Sequence, residues 1–122
     1  MSASARVEHR PSLTQAGPFR VVLSTAGSIA EAKLLARAII QKRLAACVNL
    51  IPGLQSWYWW KGRVTSDQEV LLVIKTNRTA LGRLLCVLRS HHSYDLPEFL
   101  AMPITHGDLA YLKWIEENVS HP

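Results

Sequence analysis

The chain has 122 residues, the size of one domain and too short for a catalytic module with a separate regulatory one. Apolar residues make up 48% and charged residues 19%, a balance that fills a core, and no apolar run approaches the roughly 18 residues of a membrane span. The formal net charge is +5, but Lys and Arg are scattered from Arg6 to Lys113; without the converging cations that phosphate binding needs, no nucleic-acid partner is expected.

Residues 1–18 are rich in Ser, Ala and Pro and have no hydrophobic period, so they read as a flexible tail ahead of a domain over 19–120. Arg6, Glu8, His9 and Arg10 interrupt the stretch where a secretory signal carries its apolar segment, and Pro11 opposes the amphipathic helix of a transit peptide. A cytoplasmic location is the expectation. The only cysteines, Cys47 and Cys86, are far apart in sequence and read as free thiols.

The Val-rich run Phe19–Leu23, ending in Ser24–Gly27, predicts the first strand. Ser28 and Glu31 have capping-box spacing, and Ile29, Ala32, Leu35, Ala36, Ile39 and Ile40 then recur at helical steps up to Lys42 and Arg43. From Ala45 to Trp60 the chain predicts one long strand bent at Pro52-Gly53. Lys61-Gly62 begins the turn, and Val70–Lys75 returns as its buried partner. Thr79 is a candidate cap for a second helix carrying Leu81, Leu84, Leu85 and Leu88 and ending near His91. Phe99–Ile104 predicts the last strand, at an edge because of Pro103. Asp108 is a candidate cap for a third helix through Leu112, Trp114 and Ile115.

The order β-α-β-β-α-β-α implies an α+β fold: a ferredoxin-like four-stranded antiparallel sheet with two helices on one face, followed by a C-terminal helix. The middle strands are apolar on nearly every residue, yet two helices shield one face only. The other face therefore requires a partner, and the sequence predicts an obligate oligomer.

Several segments carry a family resemblance in order: Ala45-Ala46-Cys47-Val48-Asn49-Leu50-Ile51-Pro52-Gly53, Trp60-Lys61-Gly62, Ile74-Lys75-Thr76, His92-Ser93-Tyr94-Asp95-Leu96-Pro97-Glu98 and Tyr111-Leu112-Lys113-Trp114. Together these blocks resemble the CutA divalent-cation tolerance family, collinearly from about Arg20 to Val119. The resemblance implies a homotrimer related in architecture to the nitrogen-signalling PII proteins, with divalent metal ions, copper above all, as ligands. It places the copper site of bacterial members on Ser24, where those members have Cys, and on His91 and His92.

Imidazole suits copper, but a serine hydroxyl does not replace a soft thiolate, so Cu²⁺ binding is expected to be weakened. Two adjacent side chains on a helix also face different ways, and a His at a helix C-terminus is favourable without any metal. Ser93 stands where the family motif has proline. Tyr94, Asp95 and Glu98 around Pro97 mark a cleft, although each acid alone reads more readily as a partner for surface Lys or Arg. Cys47 reads as core, Cys86 as the more exposed thiol, and Trp57, Trp59 and Trp60 as packing across strands and subunits.

Three functions are weighed. A metal-binding trimer predicts metal stoichiometry tied to His91 and His92. A PII-like sensor or scaffold predicts binding of a small molecule or partner protein in clefts between subunits. An enzyme is disfavoured, because neither cysteine has an activating motif and no phosphate loop or spaced carboxylate pair is present.

Overall fold

A computed structural model describes residues 9–121. The elements are β1 (Leu13–Gln15), β2 (Phe19–Ala26), α1 (Ile29–Gln41), β3 (Cys47–Trp60), β4 (Arg63–Asn77), α2 (Leu81–His91), β5 (Leu100–Pro103), β6 (His106–Asp108) and α3 (Leu109–Asn118), with a 3₁₀ turn at Arg78–Ala80. The main sheet has the order β3-β4-β2-β5 with every neighbour antiparallel. That is the ferredoxin-like arrangement expected from the order of elements, with β5 at an edge where Pro103 is tolerated.

Helices α1 and α2 cover one face. Ala32, Leu35 and Ile39 from α1 and Leu84 and Leu88 from α2 meet Val22, Leu72 and Ile74 of the sheet in one buried cluster. Ser28 Oγ accepts from the Glu31 amide at 3.1 Å and starts α1 as expected. The carboxylate half of the capping box differs: Glu31 Oε1 accepts from the Gly27 amide and Oε2 from the Ser93 amide. Helix α1 ends with Arg43 at φ 53, the Leu44 amide donating to the Ile39 carbonyl and the Arg43 amide to the Ile40 carbonyl, a Schellman closure.

The β3–β4 hairpin turns on Lys61 (φ 50) and Gly62 (φ 75), both left-handed as a tight two-residue hairpin turn requires. At Pro52-Gly53 the register slips. Ile51 faces Leu71 and the next pair is Leu54 with Glu69, so β3 carries one extra residue there. Such a bulge reverses which side chains of β3 share a face with a given set on β4. Tyr58 and Ser56 thereby lie on the face of Thr65, Asp67 and Glu69, the side away from the helices.

Three local expectations are corrected. The sequence pattern predicts a loose tail through residue 18, but β1 pairs antiparallel with β6, and Ala16 is fully buried in a second cluster with Phe19, Leu112 and Ile115. The pairing joins segments more than 90 positions apart, so no local period announces it; residues 1–8 of that tail lie outside the described residues. Asp108 makes no side-chain cap bond to α3; its Oδ1 accepts instead from the Ser12 amide at 3.0 Å and ties β1 down. Thr79 does not cap α2 either, since its hydroxyl donates to Asn77 Oδ1 at 2.6 Å and the helix starts through the 3₁₀ turn.

Candidate functional site

The segment between α2 and β5 is held by five hydrogen bonds, three to β2 and α1, one to β4 and one within the segment itself. Ser24, fully buried on β2, donates its hydroxyl to the Glu98 carbonyl at 2.7 Å. His92 Nε2 lies 2.7 Å from the Thr25 carbonyl and Nδ1 lies 3.1 Å from the Tyr94 amide. A carbonyl only accepts and an amide N–H only donates, so Nε2 carries the ring proton and Nδ1 offers the lone pair. The fourth bond is Ser93 N–H to Glu31 Oε2 at 3.1 Å, and the fifth is Tyr94 O–H to Glu69 Oε2 at 2.9 Å. A proline at 93 would lack the amide that Glu31 uses here.

This anchoring shapes a cavity of about 690 Å³ between the hairpin and the loop. Trp57, Tyr58, Trp59 and Trp60 form one wall; Tyr94 through Glu98 form the other. Its charged lining is entirely acidic, with Asp67, Glu69, Asp95 and Glu98 and no Lys or Arg. Burial and then the neighbouring Glu69 raise Glu98 above the usual carboxylate range. Burial and the hydrogen bond to Glu69 raise Tyr94, and the bond to Asp67 raises Tyr58, so both phenols remain donors to their carboxylates. Glu31 is displaced the other way: burial pushes it up, but hydrogen bonds from Ser93 and Gly27 outweigh that and lower it.

Of the three residues expected to hold copper, two have their donor atoms engaged within the protein and the third is exposed. His91 is exposed and turns back along its own helix, its Nδ1 lying 2.9 Å from the Val87 carbonyl, which leaves Nε2 as its lone pair. His92 has a fully buried side chain and spends both ring nitrogens inside the protein. Ser24 spends its hydroxyl proton on Glu98. A buried neutral hydroxyl, an engaged imidazole and an outward imidazole do not fit a copper centre. Among the described residues no group of three or more His, Cys, Asp or Glu side chains is placed to hold a metal ion.

The cleft expected around Tyr94, Asp95 and Glu98 is present, and neither acid forms an ion pair with Lys or Arg among the described residues. Cys47 is half-buried rather than core, because it opens β3 at the sheet edge, and Cys86 is exposed; both are free thiols. Sequence reasoning does not single out Asp67 and Glu69. The signal is the Pro-Gly bulge, which puts them on one face with Tyr58.

The profile of the CutA1 divalent ion tolerance protein family matches residues 20–118. The chain belongs to this family. It is 46% identical over 98 residues to the divalent-cation tolerance protein CutA of Thermus thermophilus, covering 80% of this chain and 95% of that relative. It is 44% identical over 117 residues to the chloroplastic protein CutA 1 of Oryza sativa, covering 96% of this chain but only 64% of the relative's length. The crystal structure of CutA1 from Oryza sativa superposes with a TM-score of 0.85 at 41% identity, covering 89% of this chain and 100% of that one. This member of the CutA1 family therefore keeps the ferredoxin-like core of its relatives. No helix among its described residues is long and apolar enough to cross a membrane.

Proposed function

We propose that the protein is a cytoplasmic homotrimer that confers tolerance to divalent cations by binding them, without turnover, in the carboxylate-lined cleft. The observation that carries this reading is the sign of the lining: four acids and no Lys or Arg, in a chain of formal net charge +5. Carboxylates and phenols are hard oxygen donors, and a hydrated divalent cation needs only one or two carboxylates from protein while keeping several waters. A rim of uncompensated acids also raises the local cation concentration. The copper part of the proposal rests on His91 alone, through its outward Nε2, and a single imidazole without a thiolate holds copper weakly.

Calorimetric titration with Mn²⁺, Zn²⁺ and Cu²⁺ tests this, run on the wild type, a Glu69→Gln/Glu98→Gln variant and His91→Ala. The expected result is Mn²⁺ and Zn²⁺ binding that the carboxamide variant loses and His91→Ala keeps. Binding should also weaken as pH falls through a range beginning above the ordinary carboxylate value, because Glu98 takes up its proton there. Cation binding that survives the carboxamide variant would remove the cleft from the mechanism.

A second reading is a PII-like sensor or scaffold, favoured by the aromatic wall of the same cleft. Its roughly 690 Å³ would take a small organic molecule. Ligand binding in the presence of chelator, with no metal dependence, would put this reading first.

A further inference from the structure

A second cavity of about 410 Å³ lies on the opposite part of the fold, where β1, the 3₁₀ turn and α3 meet. It is built partly from residues outside the family-matched range 20–118: Thr14, Gln15, Pro18 and Phe19 on one side and His121 on the other. Its floor includes Asn77, which is 1% exposed. The Asn77 Oδ1 is fixed by the Thr79 hydroxyl at 2.6 Å, and the same amide's Nδ2 has no hydrogen-bond partner among the described residues. A buried donor left without an acceptor is destabilising, and proteins leave few such groups unmet.

The remaining lining says what kind of acceptor would meet it. Phe19, Leu109 and Leu112 give an apolar wall, while the exposed side chains of Arg78 and Lys113 stand at the rim. The one acid of the lining, Glu116, is held by His121 at 2.7 Å, is partly exposed to solvent, and is outnumbered by the two cations at the rim. One buried N–H, two cations and an apolar wall complement an acceptor-bearing anion with an apolar body. We infer that this cavity binds a small organic carboxylate, whose oxygen accepts from Asn77 Nδ2 while its hydrocarbon part lies against Phe19, Leu109 and Leu112. The site is distinct from the acidic cleft, and a carboxylate would be repelled there by Asp67, Glu69 and Glu98.

The test is a ¹H–¹⁵N titration of the full-length protein with benzoate, following the Asn77 side-chain amide, beside titrations with benzyl alcohol and with inorganic phosphate. Benzoate is expected to shift the Asn77 amide saturably, with little response to either control. Arg78→Ala, a surface change that leaves the core intact, is expected to weaken benzoate by at least about fivefold through loss of the charge-assisted contact. The inference is overturned by an Asn77 amide that does not respond to benzoate, or by unchanged affinity in Arg78→Ala. It is equally overturned if benzyl alcohol matches benzoate, which would mean an apolar pocket only, or if phosphate does, which would mean rim charge only.

Discussion

Glu31 links three segments at once: it sits in the first turn of α1, receives the Gly27 amide from the β2–α1 turn, and receives the Ser93 amide from the loop after α2. These bonds favour the ionised carboxyl and lower it despite the opposing effect of burial. A carboxyl lowered in the folded state contributes stability above its unfolded value, near 4.5, and that contribution disappears as pH falls through the folded value. Glu31→Gln should therefore cost about 1 kcal/mol at neutral pH, a figure kept small because the carboxylate is partly solvent-screened. The difference between the two proteins should close as pH drops below the ordinary carboxylate range. Chemical denaturation at several pH values measures it. A gap that stays constant with pH would mean that Glu31 acts through packing rather than charge.

His92 shows what a single sequence conceals at this scale. The pair His91-His92 is visible as a possible ligand pair, but the ring partners of His92 are a carbonyl 67 positions away and the amide of Tyr94. Neither bond has a signature in composition or spacing. Ser93 is a departure that is visible in sequence, but the bond its amide makes to Glu31, which a proline could not make, is not.

At the scale of elements, the legible features were those governed by local geometry. Period-3.6 stripes gave α1 and α2, Lys61-Gly62 gave the hairpin turn, and Pro52-Gly53 gave the bend in β3. The β1–β6 pairing was not legible, because three-residue strands carry too little pattern and their partner lies at the far end of the chain. This small sheet is held at Gly107, where an added Cβ would stand 2.8 Å from Leu112 Cδ2 and 3.0 Å from its Cγ. Leu112 is buried and cannot simply swing into solvent. Gly107→Ala should therefore destabilise by about 1–3 kcal/mol as β6 and α3 are forced apart. Hydrogen exchange should rise at the β1 and β6 amides before it rises in the main sheet. Wild-type stability in this variant would show that the β6–α3 corner has slack.

For the whole molecule, the decisive feature is the sheet face that α1 and α2 leave bare. Cross-strand register puts Leu100 beside Leu23 and Val73, Met102 beside Val21, and Leu71 beside Ile51, a largely apolar surface across four strands interrupted by Asn49 and Lys75. Leu100 is 58% exposed on the unpaired edge strand, and Ile51 and Met102 are also exposed. An apolar face of this extent, bordered by an open strand edge, is a stable arrangement only when another surface covers it. Further copies of the same chain satisfy this most simply, because an identical open edge and apolar face are present on each one. The proposed homotrimer, whose number comes from the family resemblance and not from this face, should give by light scattering a mass three times the 13.7 kDa of one chain. Leu100→Lys should lower that mass, since burying an ammonium in the contact costs several kcal/mol, while leaving the helices of the protomer intact by circular dichroism. If the wild type is monomeric at micromolar concentration, the bare face must be covered by something other than copies of this chain, and the acidic cleft must work within one protomer. If the mass is threefold and Leu100→Lys dissociates it, cation titration of the dissociated variant separates the two roles: unchanged affinity assigns the cleft to a single chain, and lost affinity assigns it to the assembly.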